Sequence, residues 1–194
     1  VAKGASKADT LKGREIVVAV SGGIAAYKAA ALVSRLVQAG AGVSVVMTEH
    51  ATRFVGPLTF QSLTGRPVYA DQFATPEAWW ADHIALADRA ELVIVAPATA
   101  NVIGKLANGI ADDLLSTMLL AVTAPLLMAP AMNERMWAHP AVCANVGTLK
   151  ARGVHFVGPD EGYLACGTIG VGRMAEPDAI LEEAVKRLAG RAPA

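Results

Sequence analysis

A cysteine set among glycines, an asparagine just after a hydrophobic run and a histidine at the head of a short helical segment are the residues of this 194-residue chain whose types suit proton and carboxylate chemistry. Cys166 lies in Gly162–Gly172, a stretch with four glycines that reads as a loop, too flexible to belong to a core. A free cysteine is ordinarily buried and inert. A thiol on a mobile flap, however, can be carried to a substrate as an acid. Cys143 has no such context and reads as a helix residue. Asn133 falls in Ala129-Pro-Ala-Met-Asn-Glu-Arg-Met-Trp137. It is either a helix N-cap beside the core residues Met136 and Trp137, or an amide among the large apolar groups that a small polar substrate needs. His83 follows Asp82. Taken alone it is structural or exposed, and only its neighbours in space could make it functional.

A second set of polar residues falls at strand ends. Ser21-Gly22-Gly23-Ile24 joins the first strand to the first helix. It is either a tight turn or a phosphate cradle, because glycine lets the backbone come close and a helix start offers free N–H groups. The segment is not GxGxxG, and the second strand ends at Met47-Thr48 with no carboxylate for a ribose. Thr48 can donate a hydroxyl to a phosphate, so a mononucleotide is favoured over a dinucleotide. Ala98-Thr99-Ala100-Asn101 sets a hydroxyl and an amide at the end of the third strand. A helix cap at Thr99 and a place on the ligand cleft are compatible.

These residues need a frame that gathers strand ends on one edge. Ile16–Val20, Val43–Met47, Glu91–Ala96, Leu126–Ala129 and Val154–Val157 read as buried strands, the third ended by Pro97 and the fourth closed by Pro130. Helices are expected from Ala25 to a stop at Gly40, over Asn101–Ala107, over Asp112–Val122 and over Val142–Arg152 with Gly153 as cap. A last one opens at Pro177 and stops at Gly190, with acidic residues early and Lys186 and Arg187 late, as suits the helix dipole. Alternating strands and helices predict an α/β fold with a parallel sheet and a ligand site at the C-terminal strand ends. No internal repeat is present.

Composition narrows the partners. Seventeen basic residues balance seventeen acidic ones, so no bulk charge draws the chain to nucleic acid or to an anionic membrane. Apolar residues make up 54% and aromatics 5%, which predicts a core of Ala, Val, Leu and Ile. The apolar run Leu114–Pro130 is broken by Ser116, Thr117 and Thr123 and reads as a buried helix plus a strand, not a membrane span. Two cysteines are too few for a disulfide framework and suit a reducing cytoplasm. The start of the chain lacks the apolar core of a signal peptide. His50, His139 and His155 are scattered and no zinc site is expected; GxSxG and Walker motifs are absent. Residues 1–13 are expected to be a flexible N-terminal segment, 14–190 the domain with a flap near 160–174, and Arg191–Ala194 the start of a linker.

Taken together, VSGGIAAYKA (Val20–Ala29), VMTEHATRFV (Val46–Val55), HIALADRAELVIVAPATANVIGKLANGIADDLL (His83–Leu115), APAMNERMW (Ala129–Trp137) and LACGTIGVGRMAEP (Leu164–Pro177) resemble the flavin-containing cysteine decarboxylases. More narrowly they resemble the phosphopantothenoylcysteine decarboxylase domain of bacterial bifunctional coenzyme A proteins. The segments run in the family's order and cover nearly the whole chain beyond Arg14. PAMNxxMW and the LACG flap are the most specific. Thr168 departs from the pattern, which calls for an acidic residue there.

The resemblance implies a flavodoxin-like (Rossmann-type), doubly wound parallel sheet with helices on both faces, binding FMN. The FMN phosphate would meet Ser21, Gly22, Gly23, Ile24 and Thr48. Ala98, Thr99, Ala100, Asn101 and Ser116 would line the rest of the flavin site. The implied reaction is redox-neutral decarboxylation of 4'-phosphopantothenoylcysteine to 4'-phosphopantetheine in coenzyme A biosynthesis. His83 would be the base toward the substrate thiol, Asn133 the grip on its carboxylate and Cys166 the acid. Met136 and Ala165 would complete the substrate pocket. The resemblance also implies a homo-oligomer, a trimer or dodecamer of trimers, with sites at subunit contacts, and a C-terminal CTP-dependent ligase in the full-length protein. The alternatives are a decarboxylase of peptidyl C-terminal cysteine and a non-catalytic or regulatory flavoprotein of the same fold. A flavin prenyltransferase would need neither the Cys166 flap nor the APAMN segment.

Overall fold

A computed structural model describes residues 10–72 and 82–189, the side chain of Asp82 apart. Residues 1–9 of the expected N-terminal segment, the helix stop expected at Gly190 and the linker expected from Arg191 lie outside the described residues. In chain order the elements are β1 (Glu15–Val20), α1 (Ala26–Gln38), β2 (Gly42–Met47), α2 (Glu49–Thr52), α3 (Pro57–Thr64), β3 (Val68–Tyr69), α4 (Asp82–Arg89) and β4 (Leu92–Ala98). There follow α5 (Ala100–Asn108), α6 (Leu114–Ala121), β5 (Leu126–Pro130), α7 (Glu134–Trp137), α8 (Pro140–Ala151), β6 (His155–Phe156), β7 (Asp160–Tyr163), β8 (Ile169–Arg173) and α9 (Pro177–Leu188).

Six strands form one parallel sheet in the order β3-β2-β1-β4-β5-β6. Without the two-residue edge strand β3 the order is 2-1-3-4-5, the flavodoxin-like arrangement. The chain leaves β1 toward one edge and returns to β4 on its other side. The crevice where ligands bind in such sheets therefore opens beyond β1 and β4.

The continuous apolar runs reflect a sheet covered on both faces. Side chains alternate along a strand, so each run feeds two cores. Ile16, Val18 and Val20 of β1 point with Val45 and Ile94 into a core closed by Leu32 and Leu36 of α1, Phe60 of α3 and Ile180 of α9. Val17 and Ala19 point the other way, with Val93 and Val95, onto Leu86 of α4, Ile103 of α5, Met118 of α6 and Leu149 of α8. Among the described residues no helix is long and apolar enough to cross a membrane.

The structure departs from expectation or adds to it at four places. Leu11, in the segment expected to be flexible, is fully buried in the first of these cores. Strand β4 passes through Pro97 to Ala98 instead of ending at Pro97. The register to β5 shifts between Val95 and Ala98, which removes the need for a ladder N–H at the proline. Residues 49–69 form two short helices and an edge strand, none long enough to give a periodic signal. Finally, Gly162–Gly172, expected as a loop, is mostly an antiparallel hairpin of β7 and β8 in a sheet of its own.

The glycines of β8 serve close packing, not flexibility. Gly170 and Gly172 share one face of β8. A Cβ on Gly172 would fall on the carbonyl oxygen of Met132, and one on Gly170 would fall on the carboxylate of Glu134. The Gly172 carbonyl accepts a hydrogen bond from the Met132 N–H at 3.0 Å. The hairpin is thus seated on the segment that carries Asn133.

Below the sheet, at the ends opposite the crevice, Arg66 grips Glu15 of β1 with two hydrogen bonds of 2.6 and 2.8 Å and reaches Ser44 of β2 at 3.3 Å. The Arg66 hydrogen bond holds the Glu15 carboxyl below its ordinary range, against a smaller upward push from burial. A carboxylate with a depressed folded pKa contributes stability above the ordinary range and loses it as pH falls through that range. Glu15→Gln should therefore melt below the parent at neutral pH, and the two melting curves should converge between about pH 5 and about pH 3. Thermal melts across that window check it. A gap independent of pH would assign the loss to packing.

Candidate active-site cleft

The crevice is a cleft of about 870 Å³, floored by the residues that follow β1, β2, β4 and β5 and roofed by the turn between β7 and β8. Its floor is tied together by Ser21. This side chain is 1% exposed, and its hydroxyl donates to the Pro97 carbonyl at 2.7 Å and accepts from the Thr99 N–H at 3.1 Å. The one proton of Ser21 is spent across the switch point, so Ser21 shapes the cleft instead of donating into it. Gly22 passes so close to the chain after β2 that a Cβ would fall on that of His50 and come within 3.0 Å of the His50 carbonyl carbon.

Two threonines behave alike at neighbouring strand ends. Thr48 caps α2 by accepting from the Ala51 N–H at 3.2 Å, and Thr99 caps α5 by accepting from the Val102 N–H at 3.5 Å. A capping hydroxyl uses a lone pair, which leaves the Thr48 proton for a ligand, whereas the Thr99 hydroxyl also meets that of Ser21 at 3.1 Å. Helix α1 has no side-chain cap, and its Ala26 and Lys28 N–H groups bond back to the Gly23 and Ala25 carbonyls at 2.9 and 3.0 Å, so it is the Gly22–Ala25 turn before the helix that brings backbone to the cleft. This is a neutral donor set matched to a phosphate.

The cations lining the cleft are committed elsewhere. Lys28, 8% exposed, donates to the Met174 carbonyl at 3.3 Å and pairs with Glu176 at 2.9 Å, and Arg173 binds the same carboxylate. Lys28 and then Arg173 hold the Glu176 carboxyl below its ordinary range. Lys105 pairs with Asp112 at 2.6 Å and Asp113 at 2.7 Å. Burial alone would raise the Asp113 carboxyl, but the hydrogen bonds from Lys105 and Ser116 outweigh it and bring it down. An anion here must rely on the neutral donors.

At the roof, the β7–β8 turn is closed by the Leu164 N–H on the Thr168 carbonyl at 2.8 Å and by Gly167 in the left-handed region, φ 86°. Its tip carries Cys166, exposed to the cleft. The sulfur accepts from the Asn133 amide at 3.3 Å and lies 3.1 Å from the Thr168 hydroxyl. The Thr168 hydroxyl and backbone N–H, with a smaller share from Asn133, pull the thiol below its ordinary range. Asn133 also caps α7, its Oδ1 accepting from the Arg135 N–H at 2.9 Å. The cap and the cleft role coexist because they use opposite ends of the amide: Oδ1 is held and Nδ2 faces the cleft.

Of the residues singled out in the sequence, the structure gathers Ser21, Gly22, Gly23, Ile24, Thr48, Thr99, Ala100, Asn101, Asn133, Met136, Ala165 and Cys166 around this one cleft. Ala98 and Ser116 do not line it. Ala98 is buried within the sheet, and Ser116 is the reciprocal partner of Asp113 in a capping box, so Asp113 reaches the cleft in its place. His83 also stands apart: it is half-buried on α4, which packs against α6. Lys28, Asp113, Tyr163 and Arg173 line the cleft without having been singled out. A signal for Lys28 existed, since a lysine one turn before Leu32 sits on the apolar stripe of α1 and must find a buried partner. Among the described residues no group of His, Cys, Asp and Glu is arranged to hold a metal ion.

Comparison with known proteins places these features in context. The chain matches the family described as Flavoprotein over residues 4–189. It is 58% identical over 179 residues to the coenzyme A biosynthesis bifunctional protein CoaBC of Bacillus subtilis (strain 168), covering 92% of this chain and 44% of that protein. The chain thus spans less than half the length of that relative. Among solved structures it superposes with a TM-score of 0.83 on a Cys-to-Ser mutant of a PPC decarboxylase complexed with pantothenoylaminoethenethiol, at 31% identity over 89% of this chain and 97% of the other. The FMN-dependent cysteine decarboxylase SpaF gives a TM-score of 0.81 at 30% identity, over 93% of this chain and 99% of the other.

Proposed function

The chain belongs to the flavoprotein family, and from that membership we propose that it binds FMN and converts 4'-phosphopantothenoylcysteine to 4'-phosphopantetheine by loss of CO2. The observation that carries the reading is the pairing of the Cys166 thiol with the Asn133 amide, 3.3 Å apart, in a cleft whose floor is a neutral phosphate cradle. A hydride acceptor at one end and an acid at the other is what redox-neutral decarboxylation of a cysteine requires.

The residues present fit FMN. The Ser21–Ile24 turn and the Thr48 hydroxyl would hold its phosphate, and Thr99 to Asn101 would border the ring system. When bound, FMN supplies a reversible two-electron acceptor for the carbon next to the substrate sulfur. The Nδ2 of Asn133 would grip the substrate carboxylate as a neutral donor. A cation there would stabilise the ground state and oppose loss of CO2, and the paired state of Lys28, Arg173 and Lys105 supports this arrangement. The S–H of Cys166 would deliver a proton to the carbon left after CO2 departs. The hairpin above would keep water out.

His83 does not line the cleft of its own chain. In this reading it enters the cleft of a second copy, within a trimer or a dodecamer of trimers, and acts as base toward the substrate thiol. The 44% coverage of the bifunctional relative supports a further CTP-dependent ligase domain in the full-length protein. Two exposed free cysteines suit the reducing cytoplasm.

Mass spectrometry of 4'-phosphopantothenoylcysteine incubated with the FMN-loaded protein should show 4'-phosphopantetheine without added oxidant or reductant. A yellow protein that leaves this substrate intact but decarboxylates a peptide ending in cysteine would replace the substrate. One inert toward both would be a regulatory flavoprotein. In the same assay, His83→Asn and Cys166→Ser chains, each inactive alone, should regain activity when co-assembled, because a mixed oligomer contains sites with both wild-type residues. Absence of rescue from verified mixed oligomers would refute the shared site.

A further inference from the structure

The contact between Thr168 and Cys166 goes beyond what the proposed reaction requires. We propose that Thr168 is a positioning residue for the Cys166 sulfur, its hydroxyl accepting from the thiol and then turning to donate to the thiolate. The inference rests on the reading of Cys166 as the acid, and it deepens that reading by naming what receives the charge the acid leaves behind.

The geometry is specific. Sγ and Oγ1 are 3.1 Å apart across a turn held by the Leu164–Thr168 backbone bond at 2.8 Å. Neither atom is confined to one role, because a hydroxyl carries one proton and two lone pairs and can rotate. While sulfur is protonated, S–H can point at Oγ1. When the S–H proton passes to the substrate carbon, the bonding pair stays on sulfur and the Thr168 O–H swings to meet it. Water then returns a proton to sulfur. A carboxylate at this position could only accept and would hold the proton on sulfur. A valine could do neither.

The remaining groups around the thiol do not provide this service. Asp160, Glu161, Tyr163 and Arg173 on the hairpin and Glu134 and Arg135 on α7 are the titratable groups on the elements that carry or seat the turn. Across the cleft, Lys28 is tied to Glu176 and Lys105 to its two aspartates, leaving Glu49 and His50. Among the described residues, the side chains that hydrogen-bond the sulfur are those of Thr168 and Asn133. Asn133 is the group that the substrate carboxylate would engage. The lowered thiol, with Thr168 as its first cause, agrees with the geometry.

The test is the pH profile of Cys166 alkylation by iodoacetamide, on the FMN-loaded full chain with Cys143→Ser so that one thiol remains. Thr168→Val should react about three-fold more slowly at neutral pH, the size of one modest hydrogen bond, with its midpoint moved to higher pH. Thr168→Ser should restore the parent profile, and Thr168→Asp should move the midpoint up. All three keep the backbone bonds of the turn. A Thr168→Val profile that overlays the parent would overturn the proposal, as would a Thr168→Ser profile as shifted as that of valine. Alkylation needs no turnover. If the decarboxylase assay fails, the profile still decides the role of Thr168, and if the profile fails, the assay still decides the reaction.

Discussion

Cys166→Ser should lower the formation of 4'-phosphopantetheine by about 10²–10⁴-fold, the usual worth of a positioned general acid. It should also change what accumulates: a decarboxylated product still lacking two hydrogens, because the step that waits for the proton comes after CO2 has left. Serine preserves the size of the side chain and can keep partners in Asn133 and Thr168. What it removes is acidity, since an alcohol holds its proton far more tightly than a thiol, whose ordinary pKa is about 8.5. Liquid chromatography with mass detection separates the two products. Normal product at the parent rate would remove Cys166 from the chemistry and leave the hairpin as a cover alone.

The second large effect should come from a residue with no side chain. Gly172→Ala should reduce turnover by about 10²-fold, the cost of misplacing a reacting group by about 1 Å, with little change in melting temperature. The added methyl would fall on the backbone carbonyl of Met132, which is held by neighbours on both sides and cannot step aside. The hairpin would have to lift, taking Cys166 away from Asn133. The six-stranded sheet would keep its two cores, to which β8 contributes no residue. Gly170→Ala is the matched control. There the methyl meets the end of the Glu134 side chain, which can rotate away, and the Glu134 Cβ at 3.1 Å, which need give only slightly, so activity should fall less. Equal losses in the two variants would mean that β8 tolerates no side chain on that face for some other reason.

What could be read directly from the amino acids was whatever depends on local pattern. The β-branched runs at Ile16–Val20 and Val43–Met47 announce strands covered on both faces, and both are found with at most one extra residue at the start. The strand-end positions Ser21, Thr48, Thr99 and Asn133 converge because a parallel sheet places all such ends on one edge. The losses occurred where distant segments meet. Gly170 and Gly172 resemble a flexible loop until Met132 and Glu134 are brought beneath them. Ser21 resembles a phosphate donor until Pro97 claims its proton. Lys28 finds Glu176 148 positions away, and no period in a sequence reports such a partner. The base role proposed for His83 would need a second copy, because His83 does not line the cleft of its own chain.

The hairpin has its own two-stranded sheet and meets the rest of the protein chiefly through the Met132–Glu134 segment and the Glu176 ion pairs. The molecule is therefore divided into a sheet locked between two cores and a hairpin whose strands lie outside both. Changes within β7, β8 and their turn can alter which carboxylate is admitted without disturbing a buried strand. The requirement is that Cys166, the glycines facing Met132 and Glu134 and the acid at position 176 persist. A fold divided in this way could admit a different carboxylate beneath its hairpin while the strand ends that floor the cleft stay as they were.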